Sequence, residues 1–164
     1  MTKPKAPKTH TSIPATTEAP NPKDECYTPA WVFDDLQLQF SIDVCAPAGG
    51  SPHVTADQYF AFADDGLTAD WGTGPVWMNP PYSKPRPWVE KFTEHRNGIA
   101  LVPFSKGKWF EELWDTDAVM VCCPTNIKFI KDGKPHGIFM PTVFAAFGQE
   151  CVDALYRLPG RARE

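Results

Sequence analysis

The sequence predicts an α/β fold built on a wound sheet, with helices on both faces and an antiparallel hairpin edge toward the C-terminus. Three observations carry that expectation. Mostly apolar runs of strand length recur at residues 40–45, 76–78, 99–102 and 118–122, short enough to be buried strands. Segments with helical spacing alternate with the later runs, at 87–96 and 108–114, as a wound sheet requires. Asp132-Gly133 then follows the run 127–130 and precedes another at 143–147, a two-residue hairpin signal.

The elements follow in order. Thr28 is a good N-cap and Pro29 suits a first helical position. Val32, Phe33 and Leu36 then make one apolar helix face. Residues 40–45 predict a short buried strand running into Ala46-Pro47-Ala48-Gly49-Gly50, a loop whose small residues let a ligand approach the backbone. Asp64-Asp65-Gly66-Leu67 reads as a turn by composition. Val76-Trp77-Met78 predicts a buried strand that Asn79-Pro80-Pro81-Tyr82 must close, because successive prolines cannot continue a ladder. Beyond it come a helix over 87–96 with Trp88, Val89 and Phe92 inward, a strand at 99–102, a helix over 108–114 and a strand at 118–122. The run 127–130 completes the hairpin, with 143–147 as its returning strand.

The turn at 79–82 lies where open α/β sheets bind ligands, beyond the carboxyl end of a strand. It offers the Asn79 amide oxygen, the Pro80 carbonyl before Pro81, and the flat ring of Tyr82. Those groups suit a planar amine, whose lone pair is delocalised and therefore a poor nucleophile. Two acceptors favour a more tetrahedral nitrogen and stabilise the positive charge that grows during attack. Tyr82 can stack on the ring that bears the amine, worth about 1–3 kcal/mol for a base, as a base flipped out of its helix would require. The turn alone leaves open an adenine, a cytosine or a carboxamide.

With Asp24-Glu25-Cys26-Tyr27-Thr28-Pro29, Ile42-Asp43-Val44-Cys45-Ala46, Asp64-Asp65-Gly66-Leu67 with Trp71, and the stretch from Trp77 to Tyr82, the chain resembles the small phage-type DNA adenine methyltransferases of the Dam family. The resemblance covers most of residues 24–148. It implies a Rossmann-like methyltransferase core, S-adenosylmethionine as cofactor, and methyl transfer to the adenine amino group of DNA, with Asn79, Pro80, Pro81 and Tyr82 as the catalytic turn. It also implies a cofactor site formed by Tyr27, Thr28, Asp43, Cys45, Ala46, Asp57, Asp64 and Asp65. A role in protecting DNA from nucleases, as in restriction-modification, goes with the phage-type resemblance.

The residues themselves agree with parts of that picture. Asp43 ends a strand, where a carboxylate beside a cationic sulfonium or bonded to an amino group is electrostatically sensible; a turn-capping carboxylate is the other reading. No Gly-x-Gly stands directly after that strand, a departure from the usual methyltransferase pattern. By resemblance Asp65 takes the cofactor's adenine amino group, and Asp64 or Asp57 its ribose hydroxyls; a solvated acidic turn is the alternative. His53 lies between the cofactor segments, where it either lines the pocket or faces solvent.

At 164 residues, 42% hydrophobic and 22% charged, the chain has room for one domain. That domain is expected over 24–158, with a tail at 159–164. Residues 1–23 hold five prolines and four lysines (Lys3, Lys5, Lys8, Lys23) and read as a disordered arm. No apolar run approaches membrane length and no signal peptide is read at the front, so a cytoplasmic protein with no membrane partner is expected; the phage-type resemblance implies a bacterial host. Cysteines 26, 45, 122, 123 and 151 and histidines 10, 53, 95 and 136 show no ligand spacing, so reduced thiols and no metal are expected.

The formal net charge of −4 argues against a broad nonspecific DNA-binding surface. Local patches remain. Ser83-Lys84-Pro85-Arg86 follows the turn and Ser105-Lys106-Gly107-Lys108 follows the next strand. Lys84, Arg86, Lys106 and Lys108 are therefore the candidate phosphate or substrate contacts, against solvated loop charges. Base specificity must come from short loops, come from the partner subunit of a homodimer, or be low. The remaining readings are methylation of an RNA base or a protein glutamine, and a noncatalytic DNA-binding accessory protein on the same fold.

Overall fold

The structure, a computed structural model, describes residues 26–122, 127–137, 140–159 and, by backbone alone, 161–163. The arm expected over 1–23, with its four lysines, lies outside the described residues.

The fold is mixed α/β. Among the described residues nine strands occur in chain order: β1 Phe40–Asp43, β2 Ala56–Tyr59, β3 Val76–Met78, β4 Gly98–Pro103, β5 Val119–Cys122, β6 Lys128–Lys131, β7 Lys134–Gly137, β8 Thr142–Phe147 and β9 Arg161–Arg163. The helices are α1 Ala30–Leu36, α2 Arg86–His95, α3 Lys108–Trp114 and α4 Gln149–Leu155. Seven strands form one sheet in the order β2-β1-β3-β4-β8-β5-β9. The pairs β2-β1, β1-β3 and β3-β4 are parallel; β8 runs antiparallel between β4 and β5, and β9 adds antiparallel to β5.

Alternation along the strands divides the core in two, because successive side chains point to opposite faces. Phe40, Trp77, Ile99, Leu101, Val121, Phe144 and Ala146 pack on one face with α1 and α4. Ile42, Val76, Met78, Ala100, Val102, Met120 and Ala145 pack on the other with α2 and α3. Helices therefore cover both faces, as expected. Trp77, 1% exposed, sits among Phe33 at 4.8 Å, Phe40 at 5.7 Å and Phe144 at 6.4 Å between ring centroids. Truncating so buried a ring costs about 3–5 kcal/mol, and the ring fixes the strand that carries Asn79 two residues later.

Three expectations are corrected. The hairpin is real, but it returns at once: Asp132 (φ 51°) and Gly133 (φ 71°) are both left-handed, as a tight two-residue turn demands, so Lys131 pairs with Lys134. The returning strand is thus β7, and β6-β7 is a separate two-stranded sheet instead of an edge of the main one. The run expected to return, 143–147, belongs to β8, every residue of which is buried; such a run belongs inside a sheet. Thirdly, α1 begins at Ala30 with an extended Pro29 (φ −68°, ψ 153°) at its N-cap and no side-chain capping bond, so Thr28 does not cap it. Its hydroxyl is used elsewhere.

Besides β7, three elements had not been read: β2, α4 and β9, the last of which pairs with β5 inside the segment expected as a tail. β2 is an edge strand whose last three residues are exposed, so it lacks apolar alternation. α4 buries Cys151, Ala154 and Leu155 on one face.

Candidate active site

The carboxyl ends of β1 and β3 lie side by side, since Asp43 is in register with Trp77. Val44 N–H donates to the Trp77 carbonyl at 3.0 Å, extending the ladder past both strand ends. Asn79 is the next residue but one. Its Nδ2 donates to Thr28 Oγ1 at 3.4 Å, and Thr28 is itself 5% exposed. The amide oxygen Oδ1 is buried and accepts no hydrogen bond among the described residues. A buried acceptor left unpaired costs about 1–3 kcal/mol, so Oδ1 holds acceptor capacity that no described residue uses. Pro80 is buried and Pro81 half-buried, which leaves the turn little freedom. Tyr82 is half-buried; its hydroxyl donates to the Leu101 carbonyl at 3.4 Å and its ring meets Phe129 edge-on, 6.2 Å between centroids. The ring is a fixed wall.

Asp43, 2% exposed, accepts from Ser51 Oγ at 2.6 Å and Cys45 N–H at 3.3 Å. Burial pushes its carboxyl up to about 6, with the Ser51 and Cys45 bonds pulling the other way. A carboxylate so placed gains from a cation or ammonium nearby. The loop after it turns through Gly49 and Gly50, both at φ 85°, so glycines do supply the turn although they stand further along than the Gly-x-Gly pattern puts them. Ala46 N–H donates to the Phe60 carbonyl at 2.9 Å, tying Cys45-Ala46 to the end of β2.

The loop carrying Asp64 and Asp65 packs directly against this strand end: a Cβ on Gly66 would stand 2.2 Å from the Val44 carbonyl oxygen. Lys91 of α2 holds the loop, donating to the carbonyls of Gly66, Leu67 and Ala69, while Trp71 Nε1 donates to Gly66 O at 2.8 Å. Partial burial lowers the Lys91 pKa, with Asp65, Asp70 and Glu94 opposing. Asp65 is half-buried, whereas Asp64 is exposed and its carboxylate accepts from Ala61 N–H at 2.9 Å. Asp57 is exposed on β2 and accepts from Gln39, which precedes β1, so it lies toward the amino end of the sheet from Asp43. Tyr27 bridges to Ile130 in both directions, at 2.9 and 2.8 Å, immediately before Thr28.

Thus Thr28 and the 79–82 turn come together, and Asp43, Cys45, Ala46 and the Asp65 loop gather at the adjoining strand end. Asp57 does not join them. Of the basic candidates, Arg86 is paired with Glu90 at 2.7 Å and Glu112 at 3.8 Å, and Lys108 with Glu112 at 3.8 Å. Lys84 and Lys106 are exposed. Sequence reading missed Ser51 and Lys91; a hydroxyl directly after Gly49-Gly50 was the signal for the first, and the second left none. Among the described residues no three His, Cys, Asp or Glu side chains gather as metal ligands would, and no helix is long and apolar enough to cross a membrane.

No solved structure matches the chain. A curated relative, the DNA N-6-adenine-methyltransferase of Haemophilus phage HP1 (strain HP1c1), is 34% identical over 100 residues, covering 54% of this chain and 56% of the relative. The match thus spans about half the length of that relative. A family model described as DNA N-6-adenine-methyltransferase (Dam) matches residues 15–138, more than half of the sequence. That span contains Thr28, Asp43, the Asp65 loop and the 79–82 turn, and the chain belongs to the Dam family of DNA N-6-adenine-methyltransferases.

Proposed function

We propose that this protein transfers a methyl group from S-adenosylmethionine to the exocyclic amino group of adenine in DNA, in the cytoplasm of a bacterial host. The observation that carries the reading is the buried, unpaired Oδ1 of Asn79 at the end of a central strand. Family membership supports adenine as the base and DNA as its carrier. The parallel strands β1, β3 and β4, the antiparallel β8 inserted beside them and helices on both faces support a Rossmann-like methyltransferase core.

The residues fit the cofactor chemically. Asp43 is a buried carboxyl whose ionisation a cationic ligand favours, Ser51 orients it, and Asn79 Oδ1 stands unpaired beyond the next strand end. Asp43, the Cys45-Ala46 backbone, Asp65, Tyr27 and Thr28 would hold S-adenosylmethionine, which supplies an electrophilic methyl on a sulfonium when bound.

The turn then acts on the base. Thr28 takes one hydrogen of the Asn79 amide and so fixes its plane, leaving Oδ1 to accept an adenine N–H. The Pro80 carbonyl accepts the second. With both hydrogens engaged, the nitrogen lone pair is less delocalised and attack is favoured. Tyr82, braced by Leu101 and Phe129, offers its ring as a stacking wall. No side-chain base is required: the nitrogen becomes acidic once methylated and loses its proton to solvent.

The test is transfer of labelled methyl to DNA, RNA and protein in parallel, followed by digestion. Methyladenine from DNA is the expected product, and Asn79→Ala abolishes it while binding S-adenosylmethionine almost as before. A variant that methylates at the normal rate overturns the mechanism; label in RNA or protein alone overturns the substrate.

A further inference from the structure

The β6-β7 hairpin stands outside the main sheet, and a two-stranded ribbon is marginal alone. What anchors it is the catalytic turn and its neighbour. Phe129, 1% exposed, enters the core and meets Tyr82 edge-on. Ile130 exchanges both backbone bonds with Tyr27, the residue before Thr28.

Pairing decides which side chains share a face. Phe129 opposes His136 and Lys131 opposes Lys134, and opposed residues lie on the same face while alternate residues return to it. Phe129, Lys131, Lys134 and His136 therefore share the face whose inner end touches Tyr82. Lys134 and His136 are exposed. On the other face Lys128 is exposed and its Nζ lies over Gly137, 3.2 Å from where a Cβ would stand.

Charge points to the ligand. Residues 128–137 carry three lysines against the single carboxylate of Asp132, in a chain of net charge −4. Neither Lys128 nor Lys134 enters an ion pair among the described residues, whereas Arg86 and Lys108, the first residues of α2 and α3, are engaged by Glu90 and Glu112. Cations kept free of carboxylates on an arm fastened to a base-handling turn suit a polyanion beside the target base.

We infer that the β6-β7 hairpin is a phosphate-binding arm that grips the polynucleotide backbone next to the target base, with Lys128 and Lys134 as its contacts. The inference rests on the reading of the turn as acting on DNA.

The test uses the full chain and a fluorescent DNA duplex, with anisotropy measured across a salt series. Lys128→Gln with Lys134→Gln is expected to lower the slope of log Kd against log salt by about 2, given ~0.9 per phosphate contact. Affinity for S-adenosylmethionine and the melting temperature stay as in the wild type, and Lys128→Arg with Lys134→Arg restores the slope. A wild type that binds and methylates DNA while the glutamine variant keeps the full slope overturns the arm and leaves the methylation reading standing. A wild type that neither binds nor methylates DNA overturns both.

Discussion

Thr28 and Asn79, 51 positions apart in sequence, meet through one hydrogen bond in which the amide Nδ2 donates to the threonine Oγ1 at 3.4 Å. The bond decides which way the amide faces, since its oxygen is then left for another donor. Thr28→Val keeps the shape and removes the acceptor. We expect kcat to fall about tenfold, equivalent to ~1.4 kcal/mol of lost transition-state stabilisation, with a smaller change in KM for the cofactor. Thr28→Ser should restore the rate; steady-state kinetics on the three proteins decides.

Asp43 links stability to pH. Its folded pKa of about 6 lies above the ordinary aspartate value of 3.8, so the unfolded chain releases this proton first. The group therefore costs nothing below pH ~4, costs progressively more up to pH ~6, and above that withholds about 3 kcal/mol from the ligand-free protein. Asp43→Asn should raise the urea midpoint at pH 7.5 and leave it nearly unchanged at pH 4, provided the fold persists there. The same variant should bind S-adenosylmethionine much more weakly by calorimetry. Equal midpoints at pH 7.5 would sink the argument.

Gly66 is a glycine for space. Adding a Cβ brings it to 2.2 Å from the Val44 carbonyl and 3.0 Å from the Trp88 ring, and backbone cannot yield as a flexible side chain can. Gly66→Ala should cost about 2–3 kcal/mol by denaturant unfolding, and weaken cofactor binding because the Asp65 loop must lift off β1.

Lys91 should act on that loop without touching the reaction. Lys91→Met removes three carbonyl partners, and hydrogen bonds from a charged donor are worth about 1.5–3 kcal/mol apiece in favourable sites. Faster amide exchange over residues 66–71 and a raised KM for the cofactor are expected, with kcat at saturation little changed. A fall in kcat alone would contradict the role.

What could be read from the sequence was what depends on near neighbours. Val76-Trp77-Met78 and Ile99-Ala100-Leu101-Val102 are continuous apolar runs, and the two prolines after Asn79 fix where the strand stops. Asp132-Gly133 announced a turn, but β7 is Lys-Pro-His-Gly and wholly exposed, so the search for a partner strand passed over it to the apolar run beyond. β2 was silent for the same reason. Asp57 stood beside Asp64 as a candidate for the ribose hydroxyls because sequence does not show that Gln39 donates to it. Thr28 had the composition of a cap, and only the folded chain shows its hydroxyl turned to Asn79. Lys91, a lysine on an amphipathic helix, reads as solvated until the loop 22 to 25 residues earlier folds over it.

β8 sits between β4 and β5 although the chain makes it after both. On the ribosome, β4 and β5 must therefore wait with rows of bare N–H and C=O groups turned toward an empty slot, the condition under which strands pair with the wrong neighbour. Synthesis halted before Thr142 leaves β5 with neither of its sheet partners, because β8 and β9 both come later. The strand farthest in sequence from the 79–82 turn among those flanking β4 is the keystone that locks the sheet beneath it.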